Sequence, residues 1–83
     1  MSYSVSILRS AQKELAKLPS SIYKKIRDVI YSLASNPRPV GSKKLIARPA
    51  WRVRIGRYRV IYEINDKEKS VLILHLGHRK DVY

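Results

Sequence analysis

The stretch that most constrains this chain is Trp51-Arg-Val-Arg-Ile-Gly-Arg-Tyr-Arg-Val-Ile-Tyr-Glu-Ile64, two alternating runs split by Gly56-Arg57. Alternation with period two marks half-buried strands. Glycine at the first of two central residues suits a type II′ hairpin turn, and so short a turn fixes the register of the strands it joins. Ile55 then faces Tyr58, Arg54 faces Arg59, Val53 faces Val60 and Arg52 faces Ile61. One side collects Trp51, Val53, Ile55, Tyr58, Val60, Tyr62 and Ile64; the other collects Arg52, Arg54 and Arg59. The first is apolar enough to receive helices, so the basic side is expected to face outward.

The rest of the chain supplies those helices. Tyr3 to Leu8 alternates (Tyr3, Val5 and Ile7 against Ser4 and Ser6), which predicts an opening strand. Ser10 offers an N-cap to a short helix with Ala11, Leu15 and Leu18 on one stripe, ended by Pro19. Ser20 or Ser21 caps a longer helix with Ile22, Ile26, Val29, Ile30, Leu33 and Ala34 on its apolar face, and Asn36 before Pro37 marks its stop. The two helices read as an antiparallel hairpin. The basic segment from Pro37 to Pro49 has no sustained period and reads as a surface connection. A last strand, Val71 to Leu76, follows the polar turn Asn65-Asp66-Lys67-Glu68-Lys69. The expected fold is a small α+β domain spanning residues 1–83, β-α-α-β-β-β, with the helical hairpin packed on one face of an antiparallel sheet.

Charge then narrows the function. The net charge is +12 over 83 residues, and self-repulsion on that scale destabilises a compact chain until an anion relieves it. No acidic residue occurs from Val29 through Tyr62, whereas Arg38, Lys43, Lys44, Arg48, Arg52, Arg54, Arg57 and Arg59 all fall inside that window. Such concentration is the footprint of a nucleic-acid binder, although an acidic protein would also satisfy it. Like charges across a strand pair cost up to roughly 1 kcal/mol, so an Arg54–Arg59 pairing makes sense with an anion between them. Arginine binds phosphate bidentately and stays charged, which makes it a good clamp and a poor base. The absence of cysteine removes disulfides, thiol catalysis and Cys-rich zinc sites and suits a reducing cytoplasm. The longest aliphatic run, Val71 to Leu74, is far short of the ~20 residues that cross a membrane.

After the last strand come Gly77-His78-Arg79-Lys80-Asp81-Val82-Tyr83. Arg79 can complete a phosphate clamp, His78 can move protons and Tyr83 can stack on a base. Together with the strand pattern from Trp51 to Ile64, the ending Leu76-Gly-His-Arg-Lys-Asp-Val-Tyr83 resembles the C-terminal half of RelE-type toxins of the RelE/ParE superfamily. The opening strand, the helical hairpin and the Leu18-Pro19 junction extend the likeness over essentially the whole chain.

The resemblance implies the toxin of a type II toxin–antitoxin pair, which enters the ribosomal A site and cuts messenger RNA there without a metal or other cofactor. It implies attack of a ribose 2′-OH on its own 3′-phosphate, with Arg52, Arg54, Arg59, Arg79 and Tyr83 in the catalytic site. Lys43, Lys44, Arg48, Arg57 and His78 are then the expected RNA contacts. Members of the family carry lysine where this chain has Arg52 and Arg54, and arginine there argues against either being the base. The implied partners are the ribosome with its messenger and an acidic RelB-like antitoxin held in a hetero-oligomer, with no role for a membrane. Two other readings stay open: a non-cleaving ParE-like inhibitor of DNA gyrase, and a basic RNA-binding module.

Overall fold

The structure is a computed structural model that describes residues 2–78. Its elements are β1 (Ser4–Ile7), α1 (Arg9–Ala16), α2 (Ser20–Ser32), β2 (Lys43–Lys44), β3 (Trp51–Ile55), β4 (Tyr58–Asn65) and β5 (Ser70–His78). The expected α+β layering is what forms: both helices pack on one face of a single five-stranded sheet of order β1-β5-β4-β3-β2. Ala11, Leu15, Ile26, Ile30 and Leu33 from the helical segment meet Val53, Val60, Tyr62, Val71, Ile73 and Leu76 from the sheet.

The hairpin register is the one the Gly56-Arg57 turn dictates, with Arg52 opposite Ile61, Val53 opposite Val60, Arg54 opposite Arg59 and Ile55 opposite Tyr58. Gly56 has φ +60°, the left-handed value that a type II′ turn asks of its first central residue, while Arg57 keeps an ordinary φ.

Three features differ from the expectation. The sheet is not wholly antiparallel, because β1 runs parallel to β5, with Ser4 opposite Ser70 and Ile7 opposite Ile73. The long connection that a parallel pair requires is the whole run from α1 through β4. Next, the basic connection contains a two-residue strand, β2, that pairs Lys43 with Arg52 and Lys44 with Trp51. Two residues are too few for a period to show. Finally, both helices start without a serine cap. Leu8 is held extended by donating its amide to the Ile73 carbonyl, so α1 opens at Arg9; Pro19, likewise extended through its ring-fixed φ, precedes α2.

The last strand also departs from simple alternation. Between Ile61 and Tyr62 the β4–β5 register shifts: Tyr62 lies opposite Ile73 and Ile61 opposite His75, leaving Leu74 as the extra residue of a bulge. Val71 and Ile73 therefore face the helices before the bulge and Leu76 after it, while His75 moves to the opposite face with Ile61.

A polar clip ties three loops together behind the core. Asp66, in the β4–β5 turn, accepts both nitrogens of Arg38 (2.7 and 3.2 Å) and the Tyr3 hydroxyl (2.7 Å). Arg38 also lies 5.1 Å from the centre of the Trp51 ring. The Arg38 guanidinium holds the Asp66 carboxyl at about 2, well below its ordinary value.

Candidate functional site

The sheet face away from the helices carries two rows of side chains. The first runs straight across four strands: Lys43 on β2, Arg52 on β3, Ile61 on β4 and His75 on β5. Neighbouring strands lie about 4.8 Å apart, so the row spans about 14 Å. The second, two residues along, runs from Arg54 through Arg59 to Gly77. Alternation places these residues together, and the bulge at Leu74 is what brings His75 into line with them.

A groove of about 650 Å³ opens on this face. Its floor is apolar, with Ile61 buried beside Ala50 and packed by Leu45 and Leu74. One wall is the loop 45–49, folded back by hydrogen bonds from the Leu45 amide to the Ala50 carbonyl and from the Ala50 amide to the Arg48 carbonyl. Lys43, Lys44, Arg48 and Arg52 supply cations to the lining, and Glu14 and His75 stand among them. An apolar floor beneath a cationic rim accepts a flat base with its phosphate held at the edge.

The expected site residues divide as follows. Lys43, Lys44, Arg48 and Arg52 come together in the groove. Arg54 is exposed in the adjoining row. Arg59 corrects the expectation that the whole basic side faces outward, because it is only 3 % exposed. It sits mid-sheet between Arg54 and a glycine, and other groups of the protein engage it, as burial of a guanidinium demands. Arg57 stands exposed at the hairpin tip, apart from the groove. His78 lies opposite Tyr58, its ring 5.7 Å away edge-on, on the side of the sheet that faces the helices. Arg79 and Tyr83 lie outside the described residues.

Glu14 and His75 are additions. The run Val-Leu-Ile-Leu-His-Leu from Val71 to Leu76 hides its bulge, since apolar residues occupy both faces, and Glu14 reads as a solvated helix position. Among the described residues, no group of three or more His, Cys, Asp or Glu side chains gathers to hold a metal ion. No described helix is long and apolar enough to cross a membrane.

The family described as the ParE toxin of type II toxin–antitoxin systems matches residues 5–83, nearly the whole chain. The chain belongs to the RelE/ParE toxin superfamily. Within it, this RelE-type toxin is 35% identical to Toxin RelG of Mycobacterium tuberculosis over 100% of its own length and 98% of that protein. It is 32% identical to the putative toxin RelE1 of Methanocaldococcus jannaschii, over 100% and 97% of the two chains. The fold agrees as well. The toxin superposes at a TM-score of 0.86 on a chain of the archaeal RelE–RelB complex from Pyrococcus horikoshii, at 33% identity over 98% of this chain and 99% of that one. As such it is the toxin half of a type II toxin–antitoxin system.

Proposed function

We propose that this RelE-type toxin is a metal-independent endoribonuclease that cuts messenger RNA in the ribosomal A site and so stops translation. The single observation that carries this reading is the row Lys43-Arg52-Ile61-His75, which lays cations and an apolar floor along one groove. The nucleophile is the ribose 2′-OH of the messenger, which loses its proton and attacks the adjacent phosphorus. The bond from phosphorus to the 5′-oxygen breaks, leaving a 2′,3′-cyclic phosphate and a 5′-hydroxyl. RNA is thereby cut and DNA spared. Arg52 and Arg54 orient the phosphate, buried Arg59 raises the positive potential beneath it, and Arg79 and Tyr83 complete the clamp and stack on a base. Lys43, Lys44, Arg48 and Arg57 steer the RNA.

In the resting cell an acidic RelB-like antitoxin covers the basic face in a cytoplasmic hetero-oligomer. The RelE–RelB complexes among the solved relatives support this pairing.

The test is to induce the parent toxin and an Arg52→Ala variant and map messenger ends across translated reading frames. Breaks inside codons in the parent, reduced in the variant, are the expected result. Growth arrest with intact messengers, accompanied by lost supercoiling activity of DNA gyrase, would instead assign the toxin to the ParE-like mode of action.

A further inference from the structure

The arginines and lysines of the groove bind and neutralise phosphate, but none readily takes a proton from a 2′-hydroxyl. The described groove also holds two groups of a different kind, the His75 imidazole and the Glu14 carboxylate. We propose that His75 is the proton-transfer group of the site and that Glu14 is its positioning residue, an assignment that rests on the nuclease reading above.

Three observations carry it. First, His75 reaches this face only because of the bulge at Leu74; in unbroken alternation it would lie on the helix side of the sheet. Bulges are features that re-aim a side chain, and this one aims an imidazole into a groove of cations.

Second, a carboxylate stands against that imidazole. Glu14 Oε1 lies 4.0 Å from His75 Nδ1 and also accepts the Leu76 backbone amide at 3.4 Å. That amide is available because β1 covers β5 only from Ser70 to Ile73, so α1 lies along the strand edge beyond. Glu14 is therefore fixed to the backbone next to the residue it faces. A carboxylate lining a phosphate groove opposes binding, which makes its placement costly unless it serves the histidine. At 4.0 Å the carboxylate stands within ion-pair reach of one ring nitrogen, which leaves the other nitrogen for the substrate.

Third, the row geometry puts His75 next to the charges that hold the phosphate. Ile61 lies directly across from it, Arg59 is its diagonal neighbour on β4, and Arg52, Lys43, Lys44 and Arg48 close the groove from β3, β2 and the loop. Glu14 is the acidic group in that lining. In the step, His75 Nε2 takes the proton of the 2′-OH as the oxygen bonds to phosphorus; the departing 5′-oxygen takes a proton from water.

The experiment measures single-turnover cleavage of a messenger on programmed ribosomes between pH 5.5 and 9, for the parent toxin, His75→Gln and Glu14→Gln, with thermal melts confirming that each is folded. The parent rate is expected to climb with pH along a single limb and level off, the profile that a general base imposes. His75→Gln is expected to lose this limb and about 10²-fold or more in rate. Glu14→Gln keeps the limb and lowers the maximal single-turnover rate while the half-saturating toxin concentration stays unchanged. A parent that cuts while His75→Gln keeps its rate and profile overturns the role of His75 alone. A parent that leaves the messenger intact on the ribosome overturns the nuclease reading and this assignment with it.

Discussion

Arg59 and Arg52 sit on one face of one sheet and differ in what surrounds them. Arg59 is buried between Arg54 and Gly77, whereas Arg52 opens onto the groove beside Lys43. Their shared face was legible from alternation and the Gly56 turn. The burial was not, because the depth of a side chain depends on what other segments cover it. His75 was hidden for a related reason: a bulge moves one residue without changing the composition of the strand. Arg52→Ala is expected to weaken binding of a single-stranded RNA by a similar factor for every sequence and to reduce the slope of log affinity against log salt by about 0.7. Fluorescence anisotropy across a potassium chloride series checks both. Tyr62 makes a second residue-scale case. Its ring is fully buried and its hydroxyl donates to the Pro37 carbonyl at 2.8 Å. Tyr62→Phe leaves that carbonyl without its donor and is expected to cost about 1–2 kcal/mol in urea unfolding.

At the scale of elements, the β3–β4 hairpin was readable because its turn chemistry and its period agree. Gly56 takes φ +60°, and a Cβ placed there meets nothing within 4 Å, so the cost of a side chain is purely one of backbone. Gly56→Ala is expected to destabilise by about 1 kcal/mol in equilibrium unfolding, with Gly56→Asn milder, since asparagine tolerates the left-handed region. Elements defined by distant partners were less legible. β2 exists because Lys43 and Lys44 find Arg52 and Trp51, and α1 begins at Arg9 because Leu8 is bonded to Ile73. The Asp66 clip is likewise built from three loops. Its carboxyl has a folded value of about 2 against an ordinary 3.8, so its stabilisation is present above 3.8 and is lost as pH falls toward 2. The melting temperature of the parent is expected to fall over that interval, and that of Asp66→Asn to fall less; thermal melts at pH 4, 3 and 2 compare them.

For the molecule as a whole, the net charge of +12 sets both the partner and the stability. Repulsion among so many cations is relieved by anions, so inorganic phosphate at constant ionic strength is expected to raise the melting temperature more than chloride does. Replacing Arg52 with alanine narrows the difference if the groove is where phosphate binds. Differential scanning fluorimetry in matched buffers decides this.

The parallel contact between β1 and β5 joins Ser4 to Ser70, the first strand to the last. β5 lies between β1 and β4, so one interior strand of the sheet is made after both of its neighbours. A polypeptide still growing through residue 65 has its helices and its hairpin but no place for β1, and Val71, Ile73 and Leu76 are missing from its core. The groove face is incomplete as well, for want of His75. A ribosome making this protein therefore carries an unfinished fold until β5 has been made, and the sheet closes only when β5 is free to slide between strands already waiting for it.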